Sequence, residues 1–61
     1  MFGVYQLNND LKWEQIKTFE DETPAQHFKK MEIRKNTNPI RVFQLDAAKL
    51  PLGVDREDVV H

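Results

Sequence analysis

Three threonines, one tyrosine and two histidines, with neither serine nor cysteine, are the hydroxyl and imidazole groups from which this chain could build a reaction. His27 has no second histidine or cysteine within helical reach, and His61 is the last residue. A general base needs a nucleophile within hydrogen-bond reach. Thr18, Thr23, Thr37 and Tyr5 carry ordinary hydroxyls, and nothing at a fixed spacing would activate them, so covalent catalysis is not expected. Glu20-Asp21-Glu22 is the most concentrated acidic run. An oxygen-ligand loop needs regular spacing and a turn glycine, and this run has neither. Without cysteine there is no thiolate zinc site. Gly3 and Gly53 are the only glycines, too few for a phosphate-cradling loop. The sequence reads as non-enzymatic, with no metal or cofactor.

Size supports that reading. Sixty-one residues allow one domain, of which 39% are hydrophobic. A chain this short buries only about 60% of its unfolded surface, which leaves little room for an enclosed cleft. Small domains commonly rely on a disulfide or a metal, and neither is available here. Stability must come from packing, from oligomerisation or from a partner. The cysteine-free composition suits a reducing compartment. Met1 reads as a true start with no signal peptide after it, and no window approaches the ~20 apolar residues of a membrane span. A cytoplasmic protein is expected, with neither a membrane nor a small-molecule partner.

Residues 2–7, FGVYQL, and 40–45, IRVFQL, are β-branched and aromatic and predict strands. Asn8-Asn9-Asp10 is a turn signal. Residues 11–19 read two ways. As a strand they align Leu11, Trp13 and Phe19, but Ile16 has the wrong parity unless a bulge falls near Gln15. As a helix they align Trp13, Ile16 and Phe19 behind an Asn9 or Asp10 cap. The strand is preferred, because the tight turn before it suits a hairpin. Thr23-Pro24-Ala25-Gln26 resembles a capping box with proline at the first helical position, so a helix is predicted from residue 24. Asn36-Thr37-Asn38-Pro39 ends it near residue 35. The alternative stops it near Lys30 and makes Met31–Lys35 a strand. Asp46–Leu50 suggests one helical turn before Pro51. The fold class is α+β: a single β-β-α-β domain over 1–50, an antiparallel sheet with one helix packed on it, and an irregular C-terminal tail over 51–61.

Both predicted strands are apolar on both parities. Phe2, Val4, Ile40 and Val42 share one, while Tyr5, Leu7, Phe43 and Leu45 share the other. Strands that are half exposed alternate cleanly, and strands buried on both faces do not. One helix covers one face of a three-stranded sheet. The other face needs the tail as a lid, a second copy of the chain, or a partner. This surplus makes a protein–protein interaction module the preferred function. Such a protein would self-associate through its sheet as a homodimer, or act as a modulator or inhibitor of a larger protein. Phe2, Val4, Tyr5, Trp13 and Ile40 are the expected interface.

The formal net charge of −1 conceals a basic segment. Lys29, Lys30, Arg34, Lys35 and Arg41 face only Glu32 across residues 26–44, while both flanking segments are net acidic. With aromatic residues on the sheet, these five cations form the alternative reading, a nucleic-acid-binding accessory protein. Against it, cations near the C-terminal end of a helix are favourable without any ligand.

Overall fold

A computed structural model describes residues 1–60. His61, the last residue of the expected tail, lies outside the described residues. The chain order is β1 (Phe2–Leu7), β2 (Trp13–Phe19), α1 (Glu22–Lys35) and β3 (Ile40–Gln44), followed by the tail with one 3-10 turn at Arg56–Asp58. β1 is the central strand of an antiparallel sheet of order β2-β1-β3. The α+β class and the helix end at residue 35 are as expected, and the strand reading of 11–19 holds from Trp13 onwards, with Leu11 in the preceding loop.

The bulge lies where the apolar pattern required one. Val4 pairs with Lys17 and Tyr5 with Gln15, so Ile16 is left without an opposite residue. An extra residue in one strand reverses its side-chain parity. Trp13 therefore joins Tyr5 and Phe43 on one face, and Phe19 joins Val4 and Phe28 on the other. Without the bulge, Trp13 and Phe19 would share one face of the sheet.

The helix starts earlier than expected. Asp21 is its N-cap and makes no side-chain capping bond, so the capping box at Thr23 does not form. Pro24 falls at the third helical position. That is tolerated because the first turn's N–H groups have no intrahelical acceptor. Asp46–Leu50 also differs: it is a tight turn rather than a helical one. Asp46 Oδ1 accepts bonds from the N–H groups of Ala48 and Leu50, both at 2.9 Å. A side chain that holds its own backbone in this way competes with a helical turn.

That loop repeats the one after β1. Asn8 Oδ1 accepts from the N–H groups of Asp10 and Lys12, again both at 2.9 Å. The fourth residue of each loop, Leu11 and Lys49, has φ of 62°. Each loop follows a near-identical string, Val4-Tyr5-Gln6-Leu7 and Val42-Phe43-Gln44-Leu45. After the first loop the chain continues as β2. After the second it makes only a short return at Pro51, which bridges Leu45, and then leaves the sheet.

The tail settles which element covers the second face. The Leu52 N–H donates to Gln44 O (2.8 Å) at the edge of β3, and the Val60 N–H donates to Trp13 O (2.9 Å) at the edge of β2. These points are at opposite ends of the sheet, because Gln44 pairs with Phe2 and Trp13 with Leu7. The tail crosses the face diagonally as a strap. It buries Val59, with Val54 packed beside it, against Tyr5, Trp13 and Phe43. The rings meet edge to face, Trp13 to Phe43 at 5.3 Å and Tyr5 to Phe43 at 5.6 Å. The opposite face carries Val4, Ala25 and Ile40 beneath α1.

Candidate functional site

The five residues expected at an interface are mostly interior. Val4 (0% exposed) and Ile40 (5%) form the core under α1, and Tyr5 (2%) forms the core under the strap. Within the single chain these three expected interface residues are core: α1 covers Val4 and Ile40, and the tail covers Tyr5. Phe2 is half-buried against the first cluster, and Trp13 is half-buried against Phe43.

The five cations do not make one patch. Lys29, Lys30, Arg34 and Lys35 lie on α1, with Lys29 half-buried and the other three exposed. Arg41 pairs with Tyr5, on the strap side of the sheet, and lies 5.7 Å from the Phe43 ring. The sheet separates it from the helix, so no single groove or phosphate backbone runs along all five.

A concave site lies elsewhere, in the groove between β2 and α1. Its volume is about 470 Å³ and it is lined by Lys17, Phe19, Thr23, Pro24, His27, Phe28 and Met31. The bulge at Ile16 is what turns Lys17 and Phe19 towards α1. Phe19 and Phe28 form its floor, with ring centroids 5.5 Å apart. Lys17 Nζ stands 5.3 Å from the Phe19 centroid and 5.6 Å from that of Phe28. Such a cation is attracted to the ring faces by about 0.5–1 kcal/mol at an exposed site. Pro24, His27, Phe28 and Met31 come from successive turns of one helix flank. Met31 is 49% exposed.

This arrangement suits binding. Rings and a thioether offer apolar contact, while Lys17 and His27 offer positive charge or hydrogen-bond donors at the rim. No hydrogen bond links His27 to Thr23 among the described residues, so the groove does not hold a preformed base–nucleophile pair. Among the described residues no group of three histidines, cysteines or carboxylates could hold a metal ion. No described helix is long and apolar enough to cross a membrane. Sequence reasoning missed the groove. Helical spacing alone puts Phe28 and Met31 on one flank, but Lys17 and Phe19 reach the helix side only through the bulge.

No family model, curated protein or solved structure matches the chain.

Proposed function

We propose that this protein is a small protein–protein interaction module that docks through its sheet edges and self-associates by pairing β3 of two copies. The observation that carries this reading is the division between covered faces and open edges. α1 covers one sheet face and the tail strap covers the other. Among the described residues the strap meets the outer edge of β3 only at the Gln44 end, which leaves the edge from Ile40 to Phe43 without a partner strand. An open edge is a template for another strand.

The sequence of β3 suits self-pairing. Antiparallel pairing centred on Val42 sets Arg41 of one copy opposite Phe43 of the other and Ile40 opposite Gln44, with no like charges facing. Ile33, 48% exposed, lies on the flank of α1 opposite Phe28 and Met31, which is the flank turned away from β2. It would extend the contact. One five-residue strand and one helix flank fall short of the ~800 Å² per partner of a stable interface, so the dimer is weak and concentration-dependent. A cytoplasmic location belongs to this reading and is supported by the cysteine-free composition.

Sedimentation equilibrium from micromolar to submillimolar protein tests it. A reversible monomer–dimer equilibrium that Ile33→Glu shifts towards monomer is the expected result. A strict monomer across that range overturns self-association. The nucleic-acid alternative is left with the four cations of α1. A low-salt titration with single-stranded and duplex oligonucleotides tests it, and affinity that falls steeply with added salt would favour it.

A further inference from the structure

The groove between β2 and α1 lies against the other sheet edge. We infer that it receives an extended acidic–apolar segment of a partner protein, with one large apolar side chain over Phe19, Phe28 and Met31 and a carboxylate against Lys17 and His27.

The shape of the occupant follows from the edge. β2 is an outer strand, and among the described residues the tail meets it only at Trp13. From Gln15 to Phe19 no described residue pairs with its outer side, and the groove runs alongside. A segment laid along this edge presents alternate side chains to the groove. The bulge at Ile16 interrupts the regular ladder, so main-chain pairing is short and the groove contacts must supply most of the selectivity.

The charge of the occupant follows from the lining. Lys17 and His27 are the charged or titratable residues of the groove, and no carboxylate lines it. Among the described residues no carboxylate forms an ion pair with Lys17, whose ammonium rests over two phenyl rings. One turn beyond Met31 on the same helix flank is Lys35, also exposed. Glu20, Asp21 and Glu22 crowd the opposite end, at the start of α1. The carboxylate therefore sits towards Met31 and away from the helix start, which gives the segment a direction. A cationic segment would meet Lys17 with like charge.

This site does not depend on pairing through β3, which occupies the other edge of the sheet. The test uses the full chain and a fluorescein-labelled nonapeptide with Phe and Glu at successive odd positions and Ser or Thr at the even ones, so that one face of the extended peptide presents both the rings and the carboxylates. A second peptide carries Lys in place of each acid. Anisotropy gives affinity, and amide shifts map the site. The expected result is binding of the acidic peptide alone, with shifts at Lys17, Phe19, His27 and Met31. Lys17→Glu weakens it about fivefold, the upper range for an exposed charge pair, and Met31→Glu weakens it further. Both residues are exposed, so unchanged melting temperatures confirm that the variants fold. No shift at millimolar peptide, equal binding of the acidic and lysine peptides, or shifts confined to β3 would each overturn the proposal. Ile33→Glu serves as the control: it weakens dimerisation and leaves peptide binding unchanged.

Discussion

Replacing Val59 by alanine tests whether the tail is a structural layer or a loose appendage. Val59 is 6% exposed and packs on Tyr5 and Leu45, with Trp13 and Phe43 beside it. The next residue, Val60, is 43% exposed. Alanine removes the same two methyl groups at either site. At about 0.8 kcal/mol per buried CH₂ group, Val59→Ala costs about 1.6 kcal/mol, and Val60→Ala costs a few tenths. The strap is held by few bonds and can settle into the space, so no large cavity penalty is added. In a domain of this size each kcal/mol moves the melting temperature by about 4–8 °C. Val59→Ala should therefore melt roughly 6–13 °C lower and Val60→Ala nearly unchanged. Trp13 is the only tryptophan, and its carbonyl accepts the strap's Val60 N–H. Its emission should shift to longer wavelength in Val59→Ala before global unfolding, as the strap opens. Equal losses at the two valines, or a Trp13 spectrum indifferent to Val59, would refute the strap.

Three further outcomes follow from local geometry. A methyl group on Gly3 would lie 2.6 Å from Tyr5 Cε1 and 3.2 Å from Leu45 Cδ2, and Tyr5 is buried. Overpacking of this kind costs about 1–3 kcal/mol, so urea titration should show Gly3→Ala destabilised, with a smaller loss when Tyr5 is also replaced by leucine. Leu11 holds φ of 62° at a loop tip where it is 72% exposed. Relief of left-handed strain, about 1–2 kcal/mol, exceeds the ~0.5–1 kcal/mol entropic cost of glycine, so Leu11→Gly should raise the urea midpoint. Burial pushes the Tyr5 phenol above its ordinary value of 10.0. Above that pH the unfolded chain loses the proton first, so stability is retained below about 10 and falls as pH rises through the folded value. Tyr5→Phe should remove that component of alkaline destabilisation, and an unchanged alkaline limb in chemical unfolding would count against it.

The parts of the fold readable in the sequence are those fixed by neighbours along the chain. Alternation and β-branching mark β1 and β3, and Asn36–Pro39 stops α1 where expected. The misplaced parity of Ile16 was enough to locate the bulge within a residue. The helix start was misread because Thr23-Pro24 satisfies a local capping rule that the chain does not use: Asp21 takes the N-cap position without a side-chain bond. Asp46–Leu50 was misread because alanine and leucine favour helix there, while the Asp46 carboxylate closes the turn. The groove was hidden for a different reason. Lys17 meets Phe28 only after the bulge reverses parity and the helix docks, and neither residue signals the other at their spacing in the chain.

The same distinction governs where this protein can meet others. Two-sided apolar strands demanded a second cover, and the candidates were the tail, a second copy or a partner. A tail with valines at 54, 59 and 60 around the charged run Asp55-Arg56-Glu57-Asp58 looks too polar to be a core layer. It works because only Val54 and Val59 need to reach the sheet, and the chain is pinned where it crosses each edge, at Gln44 and Trp13. Pinning both ends lets a short segment without regular structure act as a layer, since its loop closure is limited to the residues between the two pins. With α1 on one face and the strap on the other, the side chains of Val4, Tyr5 and Ile40 pack inside the single chain. What remains outside is set by how far the strap reaches. Among the described residues it meets β2 at Trp13 and β3 at Gln44, leaving one open stretch on each edge: a regular one beside Ile33, and a bulged one beside the Lys17 groove. Their chemistry differs, and so should their partners: self-pairing suits the regular edge, and a segment carrying its own carboxylate suits the groove.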